Sequence, residues 1–279
     1  MKKMQELSKA LHREGKTIGL VPTMGFLHEG HLSLISRSKK ITDITVVSVF
    51  VNPTQFGPKE DFNRYPRDLK RDKKLLEEAG VDYVFIPDAD EIYQEGFQSY
   101  VNVADTTRIL EGEFRPGHFM GVTTVVAILF NVVNPDSAVF GQKDAQQAFV
   151  IEQMVKDLKF GIKIVVIPIV REKDGLALSS RNIYLSGKER EDALVLNHSL
   201  MYARKVIAGG KKNVNEILSG MKKIVNRTES SEPEYMAIVD ALTFRPVNKL
   251  EHGKKYYVLI ACRIGKTRLI DNILVKASH

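Results

Sequence analysis

Two histidines three positions apart, His28 and His31, stand in the most informative stretch of this 279-residue sequence, Pro22-Thr23-Met24-Gly25-Phe26-Leu27-His28-Glu29-Gly30-His31. On a helix that spacing puts both rings on one face. Such a pair can hydrogen-bond phosphate oxygens whose charge grows as a phosphorus–oxygen bond breaks. The stretch follows a strand-like run and opens a helical one. Free backbone N–H groups and the helix dipole there favour an anion. Gly25 and Gly30 let a ligand approach the backbone closely. Ordinary surface histidines are the plain alternative, but the strand–turn–helix setting with two glycines favours chemistry. A zinc site finds no support: there is no His-Glu-x-x-His pattern, and Cys262 is the only cysteine.

Three further groups have residue types suited to a phosphorylated or carboxylated ligand. Asn52 and Gln55 end a strand-like run, and their neutral amides can orient a carboxylate without neutralising it; capping of the strand end is the alternative. Lys143 and Asp144 follow a short strand and start a helix, where the lysine can offset developing charge and Asp144 can serve as a plain N-cap. Ser179, Ser180 and Arg181 lie in a polar stretch. Two hydroxyls and a guanidinium can grip a pyrophosphate, and a serine-rich hinge is the alternative. The charged segment 57–72 is expected to cover the site. Cys262 lacks a base partner nearby in sequence and reads as a buried apolar residue.

The elements that must position these residues alternate. Met4, Leu7 and Leu11 mark one face of an opening helix. Strands are expected over 17–22, 44–51, 81–86, 136–140 and 162–170, with a short one near 100–103. Helices are expected over 30–40, 61–79, 117–133 and 144–158. Strands alternating with helices imply a parallel sheet covered on both faces, a Rossmann-like α/β fold. Ligands bind such sheets beyond the carboxyl ends of the strands, where the strand order reverses. After a polar loop over 172–185 the pattern changes: helices over 186–208 and 214–227, then strands over 235–242, 256–264 and 269–275, with a hairpin turn at Gly265–Lys266. This gives two domains: residues 1–176 form the Rossmann-like part, and 177–279 a smaller α+β part.

Composition, with 43% hydrophobic and 27% charged residues, is close to the globular average and argues against disorder. No signal-peptide core opens the chain, and the longest apolar run, 122–133, is too short to span a bilayer. A cytoplasmic protein without a membrane partner is expected. The net charge of +7 comes from 41 basic and 34 acidic residues. The lysines are scattered rather than tracked, so no nucleic-acid partner is expected.

The string from Pro22 to His31 resembles the nucleotide-binding signature of nucleotidyltransferases related to class I aminoacyl-tRNA synthetases. More specifically, it resembles the pantoate–β-alanine ligase (pantothenate synthetase) family. Four further segments match that family in order: Val51-Asn52-Pro53-Thr54-Gln55-Phe56, Arg64-Tyr65-Pro66-Arg67-Asp68, Gly141-Gln142-Lys143-Asp144-Ala145-Gln146-Gln147 and Leu178-Ser179-Ser180-Arg181-Asn182. The resemblance implies a two-step reaction. Pantoate attacks the α-phosphorus of ATP to give pantoyl adenylate and pyrophosphate, and β-alanine then displaces AMP to give pantothenate. It implies that Met24, Gly25, Phe26, Leu27, His28, Glu29, Gly30, His31, Gly141, Gln142, Lys143, Asp144, Val170, Leu178, Ser179, Ser180 and Arg181 bind ATP. Among these, His28, His31, Lys143, Ser179, Ser180 and Arg181 act in catalysis. Asn52, Gln55 and Gln147 hold pantoate, with Gln55 also near β-alanine. ATP comes with Mg²⁺, for which no protein ligand is named, and a homodimer is implied. The alternative is a nucleotidyltransferase that leaves the nucleotide on a phosphorylated acceptor.

Overall fold

The computed structural model describes residues 1–58 and 60–278. The chain divides into two compact units. The first contains Met1–Gln142 and Gln146–Pro168; the second contains Lys143–Ala145 and the chain from Ile169 onward.

In order along the first unit come α1 (Lys2–Arg13), β1 (Ile18–Thr23), α2 (Glu29–Lys39), β2 (Ile44–Val49), α3 (Leu69–Glu78), β3 (Tyr83–Phe85), α4 (Ala89–Ile92), α5 (Glu111–Phe114), α6 (His118–Val133), β4 (Ser137–Gly141), α7 (Ala145–Leu158) and β5 (Lys163–Ile167). The five strands form one parallel sheet in the order β3-β2-β1-β4-β5. Burial on both faces explains the continuous β-branched runs. In register, Leu20 pairs with Val46 and Val21 with Val47. Alternation sends the first pair into a core with Met4, Leu11, Val125 and Phe130, and the second into a core with Leu27, Ile35 and Leu76. Cutting Leu20 or Leu76 back to alanine would cost about 2–5 kcal/mol.

The chain runs outward from β1 to β3, then returns to place β4 on the other side of β1. The strand order therefore reverses between β1 and β4, and the turns that leave their carboxyl ends begin at Thr23 and Gly141.

The second unit holds α8 (Gly187–Asp192), α9 (Leu194–Ala208), α10 (Val214–Val225), β6 (Ser231–Asp240), β7 (Lys255–Ile264) and β8 (Thr267–Lys276). Its antiparallel sheet, β6-β7-β8, packs on α9 and α10 around Leu196, Leu200, Ile217, Met221 and Ile260. Gly265 and Lys266 make the expected hairpin turn between β7 and β8. Cys262 is buried in this core, and burial pushes its thiol pKa up to about 12.

Four expectations are corrected. The helix expected over 61–79 begins only at Leu69, with the Asp68 carboxylate accepting the Arg71 N–H at 2.9 Å. Pro66 disfavours helical backbone at Tyr65, and Arg67 instead donates to the carbonyls of Tyr65 and Phe62. No strand forms over 100–103. The Val101 N–H donates to Thr124 Oγ1 at 3.0 Å, and its carbonyl accepts from Thr123 Oγ1 at 2.6 Å, so α6 takes the groups a sheet would use. The single helix expected over 186–208 divides at Ala193 into α8 and α9. The strand over 162–170 ends at Ile167, before Pro168. No helix among the described residues is long and apolar enough to cross a membrane.

Candidate functional site

The turn leaving β1 is held from several sides. Thr23 Oγ1 donates to the Ser48 carbonyl at 2.8 Å and accepts the Gly25 N–H at 3.2 Å. Gly25 and Phe26 follow with φ of +79° and +50°. A Cβ on Gly25 would lie 3.0 Å from an Asp72 carboxylate oxygen and 3.1 Å from Val49, so glycine is required both by conformation and by space. The Phe26 and Leu27 N–H groups donate to the two Asp72 oxygens at 2.7 and 2.8 Å.

His28 is then the N-cap of α2. Its Nδ1 accepts the Gly30 N–H at 3.1 Å, and the His31 Nδ1 accepts the His28 N–H at 3.3 Å. This reciprocal arrangement is a capping box built from two imidazoles. The rings lie 4.1 Å apart, centre to centre, at 41°. Because both Nδ1 atoms accept, a neutral ring must carry its proton on Nε2. Each histidine is thus set up as an Nε2–H donor without needing to be charged. The expectation of free amides in this turn is corrected: those of Gly25, Phe26, Leu27, His28 and Gly30 all have partners within the protein.

Asn52 caps, and Gln55 ends, a short 3₁₀ turn, Pro53–Gln55, that follows β2. Asn52 is 1% exposed. Its Nδ2 donates to the Gly121 carbonyl at 3.1 Å and to Gln55 Oε1 at 3.3 Å. Its Oδ1 accepts from the Thr54 N–H, the Thr54 hydroxyl and the Tyr93 hydroxyl. The Asn52 amide is therefore occupied in holding the turn. Gln55 Nε2 lies 2.8 Å from Met24 Sδ, which joins this turn to the one leaving β1. The Gln55 carbonyl accepts from His118 Nδ1 at 2.9 Å and from Arg115 at 3.4 Å. Arg115 also pairs with Glu60 at 2.7 and 2.8 Å. Burial opposes ionisation of Glu60, but the hydrogen bonds and charge of Arg115 outweigh it and hold the carboxyl below its usual range. In the charged segment 57–72, Phe56 packs edge-on against both Phe62 and Tyr65, and Lys59 lies outside the described residues.

Gly141 ends β4, and Gln142–Asp144 form a 3₁₀ turn that runs into α7. Gln147 is half-buried on that helix. Its neighbour Gln146 is the structural residue: it accepts the Glu111 N–H at 3.0 Å and donates to the carbonyls of Thr106 and Ile109.

Within the second unit, Lys143 Nζ lies 4.0 Å from Asp144, and the Lys143 carbonyl accepts from Asn272 Nδ2 at 3.0 Å. The stretch from Val170, where the expected strand was to end, into the expected polar loop as far as Leu178 doubles back on itself. Leu178 N–H donates to the Val170 carbonyl at 3.1 Å, and Arg171 bridges Ala177. Ser179 caps the next 3₁₀ turn, Ser180–Tyr184, by accepting the Arg181 N–H at 3.2 Å. Ser180 is buried.

A family model described as pantoate–β-alanine ligase matches residues 1–274. The chain is 53% identical over 277 residues to pantothenate synthetase from Caldicellulosiruptor bescii, covering 99% of this chain and 98% of that one. The chain belongs to the pantoate–β-alanine ligase family. The crystal structure of pantothenate synthetase from Thermus thermophilus superposes with a TM-score of 0.91 at 48% identity, covering 97% and 96% of the two chains. A family structure from Francisella tularensis, complexed with βγ-ATP and β-alanine, gives 0.80 at 35% identity, with 98% and 95% covered.

Sequence reasoning missed four residues that position this family's signature segments: Asp72, Arg115, His118 and Gly121. Asp72 sits in a lysine-rich helix and looks like surface charge. Arg115-Pro116-Gly117-His118 leads into the most apolar helix of the chain. Polar residues placed just before a buried helix were the available signal.

Proposed function

We propose that this chain joins pantoate to β-alanine in two steps driven by ATP. A pantoate carboxylate oxygen forms a bond to the α-phosphorus of ATP, and the bond to the β-phosphate bridging oxygen breaks, releasing pyrophosphate. The β-alanine amine then attacks the activated acyl carbon, AMP departs, and the amine gives up a proton as the amide forms. Mg²⁺ arrives with ATP as part of the substrate.

The observation that carries this reading is the capping box of His28 and His31 at the strand-order reversal. Two Nε2–H donors with fixed tautomers suit the α- and β-phosphate oxygens on which charge builds. We assign ATP to the residues from Met24 to His31, to Gly141, Gln142, Lys143 and Asp144, and to Val170 and Leu178. Lys143, Ser179, Ser180 and Arg181 carry the charge of the departing pyrophosphate. Gln55 and Gln147 take pantoate, with Gln55 near the β-alanine amine. Asn52, whose amide is fully engaged, acts on pantoate by holding Gln55. The likeness to pantothenate synthetases and the ATP and β-alanine complex of the Francisella protein support the same reaction. A homodimer is part of this reading, and light scattering tests it.

One assay decides. Protein, Mg²⁺-ATP and pantoate are mixed with or without β-alanine, and the products are identified. AMP and pantothenate should accumulate only when both acids are present. A nucleotide retained on the product would instead favour the nucleotidyltransferase alternative.

A further inference from the structure

In the turn leaving β1, two consecutive residues with positive φ aim the Phe26 and Leu27 N–H groups at one point. Converging amides of this kind make a concavity for an anion. The Asp72 carboxylate fills it, one oxygen per amide, at 2.7 and 2.8 Å and with only 1% of the residue exposed. Its neighbour Arg71 donates to the Leu27 carbonyl at 2.9 Å, and its guanidinium lies 5.1 Å from the centre of the Phe26 ring. Adjacent residues of α3 thus hold both polar groups of Leu27, as well as the N–H and the ring of Phe26. The next residue is His28, the N-cap whose N–H fixes the His31 ring.

We propose that Asp72 is a positioning residue for adenylate formation. It is an internal anion that occupies the amides of the turn, fixes the backbone on which His28 and His31 are registered, and leaves phosphate recognition to the imidazoles. Arg71 assists from the other side of the same turn. The assignment rests on the ligase reading for its assay. It predicts that losing the carboxylate harms handling of ATP before it harms handling of β-alanine. Had the amides themselves been the phosphate site, with Asp72 competing for them, losing the carboxylate would improve ATP binding.

The experiment compares wild type with Asp72→Asn, which keeps the shape but offers one oxygen where two amides converge. The readouts are pantoate-dependent exchange of pyrophosphate into ATP, the KM values for ATP and β-alanine, and thermal melting. A shift of this turn by about 1 Å should slow exchange by ~10²-fold, with the ATP KM rising and the β-alanine KM unchanged. Asp72→Glu should recover part of the exchange rate. A lower ATP KM in Asp72→Asn, or exchange at the wild-type rate with only the melting temperature reduced, would overturn the assignment. Should Asp72→Asn fail to fold, Arg71→Met decides, because this side chain is 44% exposed. Its exchange should fall in the same direction, and a wild-type rate would sink the idea. Failure of the ligase reading is separately visible, because wild type itself would then show no exchange.

Discussion

His118 Nδ1 lies 2.9 Å from the backbone carbonyl oxygen of Gln55, so this ring nitrogen carries the proton and donates. Nε2, 3.1 Å from Arg115 Nη1, is then the acceptor, and the ring is held neutral. Burial first, and the Arg115 guanidinium second, push the His118 pKa down to about 4. The Gln55 carbonyl and the carboxylates of Glu111 and Glu60 act in the opposite direction without offsetting this.

A pH dependence of stability follows. The unfolded histidine titrates near ~6.5. Between that value and about 4 the unfolded chain binds the proton and the folded one does not, so stability falls as pH falls through this window. The loss from this group approaches about 3 kcal/mol at the acid end, and above pH ~6.5 it contributes no slope. Glu60, whose folded pKa is lowered, adds a loss of the same sign at lower pH. Urea melts at several pH values should show it, with a flatter acid limb in His118→Gln than in wild type. Parallel limbs would reject the assignment.

In the proposed reaction His31 would serve twice, as an Nε2–H donor to phosphate and as the acceptor that fixes the His28 N–H. His31→Ala should slow adenylate formation by ~10²-fold or more, the scale of losing one strong oxyanion contact. His28→Ala should act in the same direction, since it removes the acceptor for the Gly30 N–H together with its own donor. Pyrophosphate exchange measured at saturating pantoate reads this directly. A normal rate in His31→Ala would remove the imidazoles from the mechanism.

How much of this was legible in the sequence depended on whether a residue's partners were near in the chain. The β-branched run at 44–49 and its neighbours announced buried parallel strands, and the glycine-flanked histidines announced the turn. The 61–68 segment had helical periodicity, but Pro66 and the hydrogen bonds of the Arg67 side chain to the Tyr65 and Phe62 carbonyls hold it in another course. The Val101 run had strand composition, yet two threonines of α6 reach its backbone first. Asp72 was opaque for a similar reason. Beside Arg71, Lys73 and Lys74 it reads as solvated charge, and only the fold brings it to amides 45 and 46 positions away. The occupation of the Phe26 and Leu27 amides was hidden for the same reason, whereas those of Gly25, His28 and Gly30 meet side chains two or three positions away.

Gly121 packs α6 directly against the turn carrying Gln55. A Cβ there would sit 2.4 Å from the Thr54 carbonyl oxygen and 2.8 Å from the Gln55 nitrogen, both backbone atoms that cannot rotate away. Gly121→Ala must therefore push α6 and the Pro53–Gln55 turn apart. Overpacking of this kind costs about 1–3 kcal/mol. The displaced Gln55 should raise the KM for pantoate more than that for ATP. Thermal melts and steady-state kinetics check both; an unchanged pantoate KM would show that the turn absorbs the methyl without moving Gln55.

Arg171 and Asp271, one hundred positions apart, form a two-pronged pair at 2.7 and 2.8 Å with the Asp271 side chain 3% exposed. Arg171 also donates to the carbonyls of Gly175 and Asn272, so one guanidinium closes the 170–178 hairpin and joins it to β8. Asn272 in turn holds the Lys143 carbonyl. Removing Arg171 alone leaves a buried carboxylate without its partner. Arg171→Met should therefore cost about 3–5 kcal/mol, well beyond the ~1 kcal/mol ceiling of an exposed pair. Arg171→Met with Asp271→Leu should recover much of that loss, because the stranded charge is gone. Exchange activity should remain low in the double variant, since Val170, Leu178 and Lys143 lose their shared brace whether or not the fold is restored. Equal stability losses in the single and double variants would show instead that packing of the arginine stem, rather than its charge, holds this hairpin.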